Sequence, residues 1–178
     1  LIKEGSPLLL RMAGSGSADT ILVSVDAPWQ ETSVRTEHFE KKEPFVFTKK
    51  MIDNALEQTN VASEKKMIAD QSIIGTILNG YETRKPYGRK VHRASAIILT
   101  SHIDQRVADG IISVIRSAYH TKHIIPIADS SLRYQAMCSA FPHEYDMLIL
   151  DATGPLTSIS LVRKGLFVCI VEVSVATG

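Results

Sequence analysis

Residues 146–167 read DMLILDATGPLTSISLVRKGLF. An apolar run ends on Asp151, a turn follows, Thr157 and Ser158 open a second apolar run, and Lys164 with Gly165 precede a third. This is a strand hairpin, and an aspartate at the C-terminal end of its first strand stands where open α/β sheets meet ligands. A phosphate grip at such a turn needs convergent backbone N–H groups, hence glycines, and a nearby hydroxyl. The turn has one glycine, Gly154. Pro155 removes an N–H donor, while Thr157 and Ser158 offer hydroxyls. On these residues alone a structural hairpin is a better account than a phosphate site.

Working outward, TILVSVDAP (residues 20–28) is a short apolar strand ended by Pro28. TSVRTEHFE alternates as a strand with one wet face, and KKEPF reads as a turn. Thr48 precedes a helix expected over residues 49–69, with Met51, Ile52, Ala55 and Leu56 as its apolar stripe. SIIGTILNG is a strand closed by Asn79 and Gly80, and HRASAIILTS is the next. Ser101 is the expected cap of a helix over 103–121, with Val107, Ile111, Val114 and Ile115 facing the core. HIIPIA reads as a short buried strand, and Asp129 as the cap of a helix through Ala140. The order β, then β-α-β-β, then α-β-α-β-β predicts a layered α/β fold with a small unit inserted near its middle.

The chain has 178 residues, 44% hydrophobic and 22% charged, with a formal net charge of +1. That describes a globular core without a global field for nucleic acid. No apolar run approaches the roughly 20 residues of a membrane helix. Cys138 and Cys169 lie in apolar surroundings and suit a reduced cytoplasm, as small hydrophobes. A chain opening on Leu1 and stopping at Gly178 just after a strand reads as a piece of a longer protein.

Other clusters are weaker. Arg84, Lys85, Arg89 and Lys90, followed by His92 and Arg93, form the densest basic loop, interleaved only by Tyr81 and Tyr87. It reads as a solvated loop ahead of a phosphate, acidic-peptide or lipid-headgroup site. His120 and His123 have metal-like spacing, but zinc needs three or four ligands and no Cys or carboxylate cluster lies near them in sequence, so no metal is expected. His143 and Glu144 read as loop residues, and Asp26 as an isolated carboxylate.

Taken in order, SVRTEHFE, FTKKMIDNALEQ, the run from Ile73 to Leu99 and the run from Ile124 to Gly178 resemble the FtsA/PilM family of actin-like ATPases, from bacterial cell division and type IV pilus assembly. The first segments are similar to the family's inserted strand-helix-strand-strand (SHS2) domain, and the last to its return to the actin-like core. The resemblance implies a ribonuclease H-like core at 1–29, an SHS2 insertion at 30–102, core again at 103–150, and a second lobe beginning at 151–178. The family's second phosphate motif runs D-I-G-G-G-T-T-D. Asp151, Gly154 and Thr157 fall on matching positions, Thr153 and Pro155 replace glycines, and Ser158 replaces the last aspartate.

The resemblance therefore implies a cytoplasmic scaffold, at the inner face of the membrane, whose phosphate loop (Asp151, Gly154, Thr157, Ser158) is degenerate. No catalytic residue is assigned. ATP and magnesium belong to the full-length family, and none is expected on residues 1–178. Expected partners are proteins of a division or pilus assembly, with room for self-association, no nucleic acid, and membrane contact only indirect. Arg84, Lys85, Arg89 and Lys90 are the candidate partner surface. The alternative is an active ATPase of the same fold whose remaining nucleotide site lies outside these residues.

Overall fold

The computed structural model describes residues 19–59, 65–119, 121, 123–153 and 156–174. Strand β1 (Thr20–Val25) is followed by β2 (Gln30–Val46), α1 (Lys49–Thr59), β3 (Lys66–Leu78), the two-residue β4 (Tyr81–Glu82) and β5 (Lys90–Asp104). Then come α2 (Gln105–Ala118), β6 (His123–Ala128), α3 (Asp129–Ala140), β7 (Met147–Asp151), β8 (Thr157–Arg163) and β9 (Leu166–Val173). They form a parallel pair β1-β6, an antiparallel sheet ordered β2-β5-β3-β4, and an antiparallel sheet β7-β8-β9.

β5 organises the larger sheet because it is apolar on both faces, as a strand paired on both edges and covered on both sides must be. Ala94, Ala96 and Ile98 pack with Phe45, Phe47 and Ile52, the last from α1. Successive side chains alternate, so Leu99 and Ile103 face the other way. Leu99 joins Tyr134, Val162 and Phe167, and Ile103 joins Val25 and Ala108. One strand thus roots three apolar clusters.

Several sequence expectations are corrected. The helix from Lys49 ends at Thr59 rather than Ala69, and Met67 and Ile68 already pair with Ile103 and His102. The long edge of β5 supplies backbone partners there that outweigh local helix propensity. KKEPF is not a turn but lies within β2, at a register shift between Glu40 and Phe45. A bulge absorbs the missing N–H of Pro44 and returns Phe45 to the core.

Ser101 caps no helix. It is buried in β5, 2.7 Å from the Thr32 hydroxyl, and β5 runs past residue 102 to Asp104. Asp104 is the cap, accepting from the amides of Arg106 and Val107 at 2.9 and 3.2 Å. Asp129 does not cap α3 but is its first residue, following Ala128, which makes no side-chain cap bond. HIIPIA is half exposed, since β6 pairs only with β1 among the described residues. Cys169 is exposed rather than set in apolar surroundings, and both thiols are free. No helix among the described residues is long and apolar enough to cross a membrane.

On α2 the buried stripe is Ala108 and Ile115 with half-buried Ile111, whereas Val114 is 48% exposed. Ala108 and Ile115 are two turns apart and share a face, and Val114 sits a step off it. Ile115→Asp is therefore expected to lose about 3–5 kcal/mol, read as a collapse of the thermal midpoint. Val114→Asp should melt like the parent. Equal melting of the two would refute this packing.

Candidate functional site

The C-terminal ends of β1, β6 and β7 converge. Each apolar strand runs directly into an aspartate: Asp26 after Val25, Asp129 after Ala128, and Asp151 as the last residue of β7. Carboxylate atoms of the three lie within 4.8 Å of one another. Arg133, one helical turn beyond Asp129, reaches into the middle. It pairs with Asp129 and Asp151 and lies 3.5 Å from Asp26.

Most lone pairs of the cluster are already committed. Asp151 is only 7% exposed. Its Oδ1 accepts from the Thr153 amide at 3.0 Å and the Thr153 hydroxyl at 2.6 Å, while its Oδ2 faces Arg133. Asp129 Oδ1 accepts from the Ser24 hydroxyl at 2.7 Å, and its Oδ2 faces Arg133. Asp26 Oδ1 accepts from the Ala27 amide at 2.7 Å. Among the described residues Arg133 is the sole partner of the two buried Oδ2 atoms.

Three carboxylates against one guanidinium leave a formal excess of two negative charges. Glu172 on β9 extends this field: burial first, then the charges of Asp26 and Glu31, hold its carboxyl above the usual range. Such a field attracts cations and repels phosphate. The cluster can fix three strand ends through one cation, and its donor set would suit a divalent ion only if Arg133 moved away.

The sequence-predicted residues are placed as follows. Asp151 and Ser158 are buried and sit opposite each other in the β7-β8 register, with Thr157 half-buried beside them. Gly154 and Pro155 lie outside the described residues, as does His120. The amide and hydroxyl of Thr153 turn inward to Asp151 rather than outward to an anion. Arg84, Lys85 and Arg89 are exposed on the loop between β4 and β5, Lys90 is exposed as the first residue of β5, and His143 and Glu144 are exposed between α3 and β7.

Asp26 is not isolated, which corrects the sequence expectation, and Asp129 and Arg133 were missed. A signal existed: VSVD, IPIAD and LILD each end an apolar strand in aspartate, and Arg133 is four residues after Asp129. α3 also holds the four-stranded sheet. Ser130 lies 2.6 Å from the Thr32 hydroxyl and donates to Gln30 at 2.9 Å, and Ser131 donates to Asp70 at 2.5 Å.

No family model and no curated protein matches the sequence. The fold matches a chain of a solved structure described as a PilM-PilN type IV pilus biogenesis complex, with a TM-score of 0.60 and 13% sequence identity. The match covers 97% of this chain and 47% of that one, so this chain spans about half the length of its structural neighbour. At that identity the likeness is one of fold.

Two outcomes follow from the cluster. Arg133→Ala orphans two buried carboxylate oxygens and should cost about 3 kcal/mol in chemical denaturation, with magnesium or calcium restoring part of the loss. A variant as stable as the parent would show that the cluster needs no cation. Glu172 has its folded pKa raised, so the stability it contributes is complete below the ordinary carboxylate range. That stability is lost as pH rises through the folded value. Glu172→Gln should therefore raise the melting temperature at pH 7 and leave it unchanged at acid pH. The same shift at both pH values would refute the electrostatic cause.

Proposed function

We propose that the chain is part of an actin-like assembly protein that works by holding protein partners rather than by turning over nucleotide. The observation that carries this reading is the fold likeness over 97% of the chain to a component of a pilus biogenesis complex. Between the two family roles, that neighbour favours pilus assembly over division. In this reading residues 30–102, with their sheet and α1, are the SHS2 unit, the flanking residues are parts of an actin-like core, and the β7-β8 turn is a degenerate phosphate loop. Arg84, Lys85, Arg89 and Lys90 form a partner-facing surface. The protein works on the cytoplasmic side of the inner membrane and meets the membrane through its partners.

The chemistry of the strand ends supports a scaffold. Asp151 is engaged by Thr153 and Arg133, the surrounding charge is negative, and Pro155 brings no N–H to the turn. An active ATPase of the same fold has one observation in its favour: three carboxylates close enough to share a divalent ion. That ion would have to displace Arg133, and a phosphate would then have to approach the remaining negative charge.

Calorimetric titration with magnesium-ATP separates the two. The expected result is no saturable binding below the millimolar range, which corresponds to binding weaker than about −4 kcal/mol. A micromolar isotherm that Asp151→Ala abolishes would overturn the scaffold reading.

A further inference from the structure

Strand β2 lies at one end of its sheet, and among the described residues it pairs only with β5. Its other edge therefore carries unpaired backbone groups, and the ladder shows which residues present them. The Asp104 amide donates to the Trp29 carbonyl at 2.9 Å, and one register then runs from Gln30 opposite Ile103 to Glu40 opposite Arg93. Antiparallel pairs alternate between bonded and non-bonded, so Glu31, Ser33, Arg35, Glu37 and Phe39 bond to β5. The amides and carbonyls of Thr32, Val34, Thr36, His38 and Glu40 point outward. The 2.7 Å contact between the Thr32 and Ser101 hydroxyls agrees, because side chains approach most closely in a non-bonded pair.

Sheet edges are commonly blunted by bulges and prolines. On β2 both come late, at the register shift between Glu40 and Phe45 that contains Pro44. From Thr32 to Glu40 the edge is regular, about 30 Å of extended chain. Space lies beside its start, where a groove of about 440 Å³ separates Gln30, Glu31 and Thr32 from Ile170 and Glu172 of β9.

The charges along this edge match themselves. A second β2 laid antiparallel must set outward residues against outward residues, which leaves registers centred on a single residue. Centring on Arg35 or Glu37 opposes each to its own copy. Centring on Val34 opposes Glu37 to Glu31, and centring on His38 opposes Arg35 to Lys41. Centring on Thr36 instead opposes Arg35 to Glu37 twice, Glu31 to Lys41, and Thr36 to itself. Opposite charges and paired threonines stabilise cross-strand neighbours, and like charges destabilise them. Arg35 and Glu37, already joined at 2.6 Å within one chain, would then form a ring of four alternating charges.

The same register brings the exposed Lys41 and Lys42 of the second copy to the groove. Lys66 already answers Glu31 there, but Glu172 has no ion-pair partner among the described residues. Burial and the charges of Asp26 and Glu31 hold its carboxyl above the usual range, so an arriving cation meets uncompensated charge.

We propose that two copies of this chain associate through the Thr32–Glu40 edges of β2, antiparallel about a two-fold axis at Thr36, so that their four-stranded sheets become one. Such an interface is the same patch on both copies and closes on itself, giving a dimer rather than a filament. The proposal does not rest on the partner-holding role above.

Sedimentation of the whole chain tests it first: a small interface should pass from monomer to dimer between about 1 and 300 μM. On raising the concentration, hydrogen exchange should slow at the amides of Val34, Thr36 and His38 and stay unchanged at Arg35 and Glu37, which already face β5. Thr36→Lys, at an exposed position, sets two ammonium groups against each other and should weaken the dimer at least about tenfold. Arg35→Glu alone and Glu37→Arg alone should each sediment as monomers. Mixing the two should restore a dimer, because each copy supplies the charge that the other lacks, and misfolded variants could not do this. A monomer throughout the range, protection elsewhere, a dimer indifferent to Thr36→Lys, or folded single variants that fail to pair on mixing would each overturn the proposal. None of these outcomes bears on ATP binding, so the scaffold reading stands or falls separately.

Discussion

The three strand ends that meet at Asp26, Asp129 and Asp151 place like charges within 4.8 Å, and only Arg133 among the described residues compensates them. Carboxylates that close, with Asp151 almost fully buried, repel one another strongly where water is scarce. The parallel pair β1-β6 and the sheet β7-β8-β9 can therefore approach at this end only with a cation between them. Arg133 supplies that cation from α3, at an i,i+4 spacing that lets it also pair with Asp129 on its own helix. Its planar, multi-donor head suits three acceptors in a way that a lysine's point charge does not.

α3 carries this constraint into the rest of the molecule. Ser130 and Ser131 tie it to Gln30, Thr32 and Asp70 of the four-stranded sheet, and Tyr134 ties it to the β8-β9 turn. Hydroxyl contacts at 2.5–2.9 Å are directional, so this joint specifies an orientation that apolar packing alone would leave looser. The Tyr134 ring also packs edge-to-face on Phe167 at 5.4 Å. The placing of the β8-β9 turn is thus set from the same helix that holds the acidic cluster.

Charge is segregated although the chain is nearly neutral, at +1. Carboxylates gather at the strand ends and on toward Glu172, while exposed cations gather on the β4-β5 loop and at Lys164. The acidic end is internally bonded through Arg133, whereas Arg84 and Lys164 have no ion-pair partner among the described residues. Fields of opposite sign on one small body govern orientation and encounter with partners more than overall affinity.

The sequence by itself determined the succession of strands and helices, the long apolar β5, the β7-β8-β9 hairpins and an α/β fold, because hydrophobic periodicity is a local property. It misplaced boundaries where a distant strand outbid local preference. Met67 and Ile68 belong to β3 because β5 offers them a partner, and Ser101 stays in β5 because Thr32 lies across the ladder. Asp151 was legible as a site residue from its place after LILD. Its engagement by Arg133 was not, since the residues that surround it come from β1, α3 and β7, far apart in the chain. The meeting of the β4-β5 loop with the β8-β9 turn was equally hidden: Arg84 and Lys164 are 80 positions apart in the sequence and line one cleft only when both sheets are docked. Periodicity reports which face of an element is apolar, but the meeting of charges from separate elements depends on how those elements dock, and only the tertiary structure decided that.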